Sequence, residues 1–385
     1  MPTAITNARL LTPDEESYGV VVLDDEGQIA AAGREVKPPP GAAVTDASGL
    51  TIVPGFIDLH VHGGGGYSFA THDPDEIRSY ACWAVSRGVT SFLPTIFAAG
   101  IKVGLELVRT AAEATGQTEG GANVLGVNLE GPFVSEKRRG ALPAGWVTAP
   151  EVAVFEQLAD AAAGKLRLMT LAPEVAGEDV LKEALRHGIV VAVGHSDADS
   201  DTASIAFNDG VSHVTHLFNA MRPFHHRDPG IIGAAYDNPG VTVEVIADGV
   251  HLDPITVAMA IRLFGPDRVA LITDAVTPAG LDNGTFRIGQ EEAVLRGDRV
   301  LLPDGTIAGG AVVMDRIVRN LVDWRLAGLA DTVRMASTVP ARVLGLSERK
   351  GRIAPGCDAD LVALDSDLEV VMTWVGGRLV HPRGA

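Results

Sequence analysis

Two histidines in the chain are spaced for binding a metal ion. The apolar run from Thr51 to Leu59 is typical of a buried strand, and His60 and His62 end it within the segment PGFIDLHVHGGGG. Residues i and i+2 of a strand point to the same face, so the two imidazoles are expected side by side. Such a pair can chelate a transition metal. Two structural, hydrogen-bonded histidines are the alternative for this motif alone. The glycines that follow are expected to turn the chain sharply and leave space beside the pair.

Four more residues that can bind metal or exchange protons follow apolar runs in the same way. They are Glu130 in VNLE, His195 in VGHS, His216 in THLF and Asp274 in ITDA. A single histidine at a strand end is usually structural, and a single acid can cap the next helix. Six such residues on five runs favour one shared site. We predict a metal site at Glu130, His195 and His216, a second at His60 and His62, and a catalytic carboxylate at Asp274.

Strands and helices alternate along the middle of the chain. The eight predicted strands are Thr51–His62, Thr90–Thr95, Val124–Glu130, Leu166–Ala172, Val190–His195, Ser212–His216, Val241–Ala247 and Val269–Asp274. Continuous apolar strands that alternate with helices indicate an α/β fold with a parallel sheet. Eight such units predict a TIM-type (β/α)8 barrel, and a doubly wound sheet is the alternative. In a barrel, the carboxyl ends of the strands meet at one mouth, where active sites lie.

Both ends of the chain have a different pattern, with short strands separated by turn residues. The predicted strands there are Ala4–Leu11, Tyr18–Asp24, Gln28–Gly33, Asp360–Asp365, Val370–Val375 and Arg378–His381, with a further strand-like segment at 350–356. We therefore predict a small β-sandwich domain built from residues 1–50 and 346–385, beside a barrel of residues 51–345. A strand-rich insertion at 284–307 is expected to extend the sandwich.

Composition limits the classes of function. The 385 residues are 46% hydrophobic and 21% charged, which is typical of a globular protein. A formal net charge of -18 argues against nucleic acid or an anionic membrane as the main partner, although a few local cations suffice for an anionic substrate. No apolar run is long enough to span a membrane, and no secretory signal is visible. The two cysteines form no disulfide framework, so a cytoplasmic location is expected.

The motifs together resemble the amidohydrolase superfamily and, within it, the N-acetylglucosamine-6-phosphate deacetylases. The matching segments are PGFIDLHVHG, LEGPF, TLAPE, VGHS, THLFNAM, DGVHLDP, TDA and KGRIAPGCDADLVALD. LEGPF and THLFNAM are specific to the deacetylases, whereas His-x-His points only to the superfamily. The resemblance extends over nearly the whole chain and implies a barrel with a β-sandwich.

The resemblance also implies a reaction and its residues. Glu130, His195 and His216 would bind the principal divalent metal, and His60 and His62 a second one bridged by Glu130. One or two metals per chain are implied, zinc first, with iron, manganese or cobalt as alternatives. Water activated by the metal would attack the amide carbonyl of N-acetylglucosamine 6-phosphate. Asp274 would act as general base and then acid, giving acetate and glucosamine 6-phosphate.

Substrate contacts and assembly follow from the same resemblance. The positions that match substrate-binding residues are Asn219, Ala220, Arg227, His251, Ala141, Leu142, Ile307, Ala308 and Gly309. Arg227 can bind a phosphate group through two parallel hydrogen bonds, and a protonated His251 adds a donor. Nearby His225 and His226 are expected to be loop residues without a role. The phosphorylated amino sugar would be the partner molecule, and a homodimer is expected.

The chain departs from the deacetylase pattern at Leu142. A histidine that helps to polarise the substrate carbonyl is usual there, and leucine cannot donate a hydrogen bond. Gly309-Gly310-Ala311 also replaces the more usual Ala-Gly-Ser. A second metal at His60 and His62 would compensate for Leu142, as would His225 or His226. Otherwise the enzyme acts on another N-acylated amino-sugar phosphate or an N-acyl amino acid, or the chain is a weakly catalytic metal-binding paralogue.

Overall fold

Eight parallel strands form most of the central ten-stranded sheet, and the short strands Gly116–Gln117 and Asn123–Val124 complete it. The structure is a computed structural model that describes residues 2–12, 16–289, 291–382 and 384. The parallel strands, which neighbour one another in chain order, are Phe56–Val61, Val89–Ile96, Val127–Glu130, Leu166–Leu171, Val190–Val193, His213–Val214, Thr242–Val245 and Val269–Leu271. Each overlaps one predicted strand. Two backbone hydrogen bonds connect the carboxyl ends of the first and eighth strands, from Asp274 N to His60 O (2.9 Å) and from His62 N to Ala275 O (2.7 Å).

The first predicted strand is in fact two strands that belong to different sheets. Thr51–Pro54 pairs antiparallel with Leu361–Leu364, and the parallel sheet begins only at Phe56. Gly55 separates them, and a Cβ atom there would lie 2.2 Å from Thr90 Oγ1. Only glycine therefore allows the chain to pass so close to the neighbouring strand.

Helices follow the parallel strands and supply the outer layer. They are Pro74–Ala84, Ile101–Ala114, Val152–Ala161, Pro173–Arg186, Ser200–Asn208, Gly230–Asp237, Pro254–Phe264, Met314–Asp323, Leu329–Val333 and Val339–Val343, with single turns at Val85–Arg87, Glu136–Arg138 and Arg334–Thr338. Asp73, Asp199 and Asp253 each accept a hydrogen bond from a backbone N–H of the helix that they precede, which fixes where three helices begin. In the described part of the chain, no helix combines the length and apolar character needed to cross a membrane.

The two ends of the chain build one second sheet of eight strands. These are Thr3–Leu11, Glu16–Leu23, Ile29–Gly33, Ala43–Asp46, Thr51–Pro54, Leu361–Leu364, Val370–Val375 and Arg378–His381. Leu10, Ile52 and Trp374 share an apolar core that is separate from the cores of the parallel sheet. Strands from both ends of the chain thus pair in one sheet. Residues 350–356 form turns rather than the predicted strand.

The insertion near 284–307 does not extend this second sheet, so that expectation was wrong. Its strands Gly284–Ile288, Glu291–Arg296, Arg299–Leu301 and Ile307–Gly310 form a separate antiparallel sheet. Apolar side chains of this sheet pack on Val276 instead of the core of the terminal sheet. A backbone hydrogen bond from Gly310 N to Asp274 O then fixes its last strand beside the end of the eighth parallel strand.

Candidate active site

Glu130, His195 and His216 converge where the third, fifth and sixth parallel strands end. Glu130 Oε1 lies 2.8 Å from His195 Nε2 and 3.2 Å from His216 Nε2. The two Nε2 atoms are 3.0 Å apart, and all three side chains are buried. The structure therefore brings together the three residues predicted as ligands of the principal metal.

His60, His62 and Asp274 form a second group next to the first. Asp274 Oδ1 is 3.5 Å from His60 Nε2 and 3.2 Å from His62 Nε2. Glu130 reaches this group as well, with Oε1 3.5 Å from His60 Nε2 and Oε2 3.4 Å from His62 Nε2. Its carboxylate therefore lies between the two groups, in the position that a bridging ligand requires.

The backbone turns unusually at three of these residues. His195, His216 and Asp274 have φ values of +47°, +28° and +49°. Residues other than glycine adopt positive φ rarely, and such strain is concentrated at functional sites. Each of the three residues lies two or three positions after the last residue of a parallel strand. The strained turns therefore occur at residues whose side chains converge on one point.

Hydrogen bonds at Nδ1, the ring nitrogen that faces away from the site, fix the tautomer of three histidines. His60 Nδ1 contacts Glu244 Oε2 at 3.2 Å, His62 Nδ1 contacts the Thr95 carbonyl at 3.0 Å, and His195 Nδ1 contacts the Arg138 carbonyl at 3.0 Å. Carbonyl and carboxylate oxygens only accept hydrogen bonds, so each Nδ1 carries the proton. In the neutral form of each ring, the Nε2 lone pair then points into the site.

With the rings neutral and each Nε2 unprotonated, this arrangement gathers acceptors without donors. Nε2 lone pairs and the carboxylates of Glu130 and Asp274 face one another, and the buried His60 Nε2 has no hydrogen-bond partner. Acceptors that are buried against acceptors are costly unless a cation or protons lie between them. Imidazole and carboxylate are also ordinary ligands of divalent transition metals. The two groups therefore fit a divalent metal.

Glu244 supports the site and was missed in the sequence. It is fully buried on the seventh parallel strand, where it contacts His60 Nδ1, His213 Nε2 (3.2 Å) and the backbone N–H of His216 (3.1 Å). Burial alone would raise the pKa of Glu244. The charge of His60 and the hydrogen bond with His213 outweigh burial and hold that pKa below its usual value. A single charged residue in the otherwise apolar run VTVEVIA was the available signal.

The pKa values of the second group are shifted in opposite directions. Burial lowers the pKa of His60, but the charges of Glu130 and Glu244 outweigh it and raise that pKa well above its usual value. Burial raises the pKa of Asp274, but the hydrogen bond with His62 and the charge of His60 lower it overall. Asp274 is therefore ionised at neutral pH and can accept a proton.

A cavity of about 630 Å³ opens above both groups. Eight of the nine residues predicted to bind substrate line it: Asn219, Ala220, His251, Ala141, Leu142, Ile307, Ala308 and Gly309. His251 is oriented by Asp248, whose Oδ2 lies 2.7 Å from His251 Nδ1, and His251 Nε2 is 3.6 Å from Asp274 Oδ2. The cavity has the size of a small-molecule site.

Arg227 is the ninth predicted residue, and it does not line the cavity. It is exposed on the loop between the sixth parallel strand and its helix, with Nη1 2.9 Å from His226 Nε2. His225 and His226 are also exposed, and their rings lie 4.2 Å apart. Neither histidine contributes to the cavity wall.

The glycines after His62 do not leave open space, contrary to expectation. A Cβ atom on Gly65 would lie 2.5 Å from Trp83 Cδ2, and one on Gly64 would lie 2.8 Å from Trp83 Cζ3. Gly65 also has φ of +60°. These glycines are needed because Trp83 packs directly against the loop.

Known proteins resemble this chain over nearly its full length. It is 36% identical to the N-acetylglucosamine-6-phosphate deacetylase of Bacillus subtilis over 97% of this chain and 96% of that protein. It is 35% identical to the N-acetylgalactosamine-6-phosphate deacetylase of Escherichia coli O157:H7, over 96% of this chain and 97% of that protein.

Solved structures and family patterns agree with these relatives. A mutant N-acetyl-D-glucosamine-6-phosphate deacetylase from Mycobacterium smegmatis, in complex with N-acetyl-D-glucosamine-6-phosphate, superimposes with a TM-score of 0.91 at 33% identity and covers 99% of both chains. The sequence pattern of the amidohydrolase family matches residues 51–380. The chain therefore belongs to the amidohydrolase family.

Proposed function

We propose that this protein is a metal-dependent deacetylase of N-acetylglucosamine 6-phosphate. The observation that carries the proposal is the pair of histidine–carboxylate groups that share Glu130 at the base of the cavity. Membership of the amidohydrolase family and the names of the Bacillus subtilis and Mycobacterium smegmatis proteins support the reaction and the substrate.

For the fold, we propose a closed (β/α)8 barrel with a β-sandwich domain. The backbone hydrogen bonds of Asp274 N and His62 N, which connect the ends of the first and eighth strands, support closure. The separate core of the terminal sheet supports the division into residues 1–50 and 346–385 around a barrel of 51–345. Thr51–Pro54 pairs within that terminal sheet, although it lies inside the proposed barrel range.

For the cofactor, Glu130, His195 and His216 would hold one divalent metal. His60 and His62 would hold a second, with Glu130 shared, and zinc is our first choice because imidazole and carboxylate ligands suit it. A divalent metal at such a site polarises a carbonyl oxygen and lowers the pKa of a bound water. The site therefore offers the chemistry that hydrolysis of an amide needs.

Asp274 would exchange the protons of the reaction. It is ionised, and its side chain is 13% exposed to the cavity. It accepts a proton from the attacking water and returns one to the leaving nitrogen when the amide C–N bond breaks. His251 Nε2, held by Asp248, lies next to the second carboxylate oxygen of Asp274 and stabilises its charge.

The sugar phosphate would occupy the part of the cavity around Asn219, Ala220 and His251, with Ile307, Ala308 and Gly309 as a backbone contact segment. All of these residues line the cavity. We keep Arg227 as the phosphate-binding cation, because its exposed guanidinium lies on the loop that follows Asn219.

Leu142 leaves the site without the usual histidine donor. Since His225 and His226 are exposed and do not line the cavity, we propose that the His60 and His62 group compensates for it. N-acetylgalactosamine 6-phosphate is a second candidate substrate, because the Escherichia coli relative carries that specificity in its name. The two sugars differ only in the orientation of one hydroxyl group.

The deciding experiment measures acetate release from both sugar phosphates, with metal content determined on the same purified sample. Turnover of the glucosamine compound with close to two metals per chain supports the full proposal. Preference for the galactosamine compound would change the substrate and keep the reaction. Release from neither, with metal bound, would overturn the proposed function.

Arg227→Ala tests the phosphate contact separately. We expect KM for the sugar phosphate to rise at least tenfold, because a charge-assisted bidentate contact is lost. Arg34→Ala, at an exposed arginine that follows the strand Ile29–Gly33 of the terminal sheet, is the matched control. Unchanged KM in Arg227→Ala would remove this residue from the substrate site.

Assembly and location complete the proposal. We propose a cytoplasmic homodimer. Ile255, Met259 and Leu263 are exposed apolar side chains on one face of a single helix, which a partner subunit would shield from water. Light scattering of the purified protein would measure the subunit number directly.

A further inference from the structure

One wall of the cavity carries six apolar side chains, with the exposed His72 at its edge. It is formed by Phe97, Ala98, Val103, Leu107, Leu142 and Pro143. Leu107 and Leu142 are each only 3% exposed, so they form the base of this wall rather than its rim. Purely aliphatic and aromatic surface binds an apolar group and gives nothing to a sugar hydroxyl or a phosphate.

This wall begins next to the histidine–carboxylate groups. The ring of Phe97 lies 5.0 Å from the ring of His62. On the other side, a Cβ atom on Gly140, two residues before Leu142, would lie 3.7 Å from His195 Cε1. An amide carbonyl held between His62 and His195 therefore has apolar surface within reach.

The substrate's two halves then occupy different parts of the cavity. In the proposed function the sugar phosphate contacts the part that carries Asn219 and His251. The acyl group extends from the opposite side of the amide bond, and the apolar wall is the lining that begins there beside His62. An acetyl group has one methyl group, which covers only a small part of a wall of six side chains.

We propose that this wall is an acyl pocket that accepts chains longer than acetyl. The enzyme then hydrolyses N-propanoyl- and N-butanoyl-glucosamine 6-phosphate at least as fast as the N-acetyl compound. Water adds across the same amide bond, and the products are the longer carboxylate and the same amino-sugar phosphate. This inference rests on the proposed function and adds the acyl specificity of that site.

The expected effect follows from burial of methylene groups. Each buried methylene raises kcat/KM roughly fourfold when the pocket has room for it. We therefore expect kcat/KM for the N-butanoyl compound to exceed that for the N-acetyl compound by on the order of tenfold. A pocket that fits only acetyl would instead reject the longer chain.

The experiment compares kcat/KM for the N-acetyl and N-butanoyl compounds in the metal-loaded enzyme and in Val103→Phe. Val103 is half-buried on the helix Ile101–Ala114, so a larger side chain there fills the pocket. Val154→Phe, at a half-buried helix position that does not line the cavity, is the matched control. The butanoyl-to-acetyl ratio is the readout, because it is independent of the folded and metal-loaded fractions.

A ratio of one or more that falls at least tenfold in Val103→Phe and not in Val154→Phe supports the acyl pocket. A ratio below one in the unmodified enzyme, with the N-acetyl compound hydrolysed, overturns the acyl pocket and leaves the proposed function intact. Hydrolysis of neither compound overturns both. A ratio that Val103→Phe leaves unchanged would show that the chain binds elsewhere and would also overturn the proposal.

Discussion

Asp274 differs from the other carboxylates of the site in what it can reach. Its side chain is 13% exposed, against 5% for Glu130 and none for Glu244. It also contacts residues of two different strand ends, His62 and His251, through its two oxygens. A base must meet the proton that it removes, so exposure to the cavity makes Asp274 the carboxylate suited to proton transfer.

Replacement of Asp274 by asparagine tests that role. We expect Asp274→Asn to lower kcat by about 10²–10⁴-fold, because an amide cannot accept and return the proton. Metal content should stay close to that of the unmodified protein, since Glu130, His195 and His216 are intact. Acetate release and metal analysis on one sample measure both quantities.

The matched control for this substitution is Asp253→Asn, at an exposed helix N-cap where asparagine serves as well as aspartate. Activity should be unchanged in the control. Turnover within tenfold of the unmodified enzyme in Asp274→Asn would exclude this residue as the base.

Glu244 acts on the site through His60 rather than through the substrate. In Glu244→Gln, an amide oxygen at the place of Oε2 can still accept from His60 Nδ1 and the His216 N–H, but the negative charge beside the His60 ring is lost. We expect metal affinity to fall by about 10–100-fold, which is the usual cost of losing such a supporting carboxylate. Competition with a chelator measures the change.

Glu178→Gln, which alters a surface carboxylate paired with Lys182, is the control for that measurement. Equal metal affinity in Glu244→Gln and the control would mean that His60 needs no help from Glu244.

The residues that are proposed to bind metal directly were more predictable than those that support them. Each of the six residues at strand ends stands out against an apolar run, and a barrel brings such ends together. Glu244 and His60 are 184 residues apart, and no local pattern connects them. The position of Arg227 could not be predicted from the sequence either, because an exposed loop is shaped by few local contacts.

At the scale of strands and sheets, alternation of strand and helix predicted all eight parallel strands. It did not predict the division at Gly55, since the apolar run continues through it and the cause is the distance to Thr90 in the next strand. The insertion was placed on the wrong sheet for a similar reason. Short strands have similar sequence patterns whichever core they cover. The contact with Val276, which the sequence does not show, determines where this sheet packs.

Asp58 and Thr273 join the first parallel strand to the end of the eighth. Thr273 Oγ1 donates to Asp58 Oδ2 at 2.6 Å, and burial raises the pKa of Asp58 to about 7. Thr273→Val keeps the shape and removes the donor. We expect the free energy of unfolding to fall by roughly 1–3 kcal/mol, the cost of an unsatisfied buried acceptor.

Denaturant unfolding at pH 7 measures this loss. Thr285→Val, at an exposed strand position, is the control and should change stability by less than about 0.5 kcal/mol. Equal stability of the two variants would mean that the Asp58–Thr273 contact does not hold the first and eighth strands together.

At the scale of the whole molecule, the site connects distant parts of the chain. Its six residues come from the first, third, fifth, sixth and eighth parallel strands. Metal removal should therefore lower the thermal midpoint of the parallel sheet, on the order of 5 °C for a site that is nearly saturated. The Glu130→Gln variant lacks the shared ligand, so a chelator should lower its thermal midpoint very little. A midpoint that is insensitive to chelator in the unmodified protein would contradict a metal site.

The last prediction concerns how metal affinity depends on pH. In the folded protein without metal, Glu130 and Glu244 hold the pKa of His60 well above its usual value, so His60 carries a proton at neutral pH. A metal must displace that proton in order to bind Nε2. Below the raised pKa, affinity at the His60 and His62 group should therefore rise by about tenfold for each pH unit, and above it the affinity should become constant.

Metal titration in the pH range of about 6 to 8 measures the slope. Glu244→Gln removes one of the two charges that raise the pKa of His60, so its affinity should become constant at a lower pH than in the unmodified protein. Asp253→Asn should leave the curve in place. An affinity that does not change with pH in the unmodified protein would mean that His60 carries no proton for the metal to displace. The acceptor cluster would then be satisfied by the metal alone, and Glu244 would serve only to orient the ring.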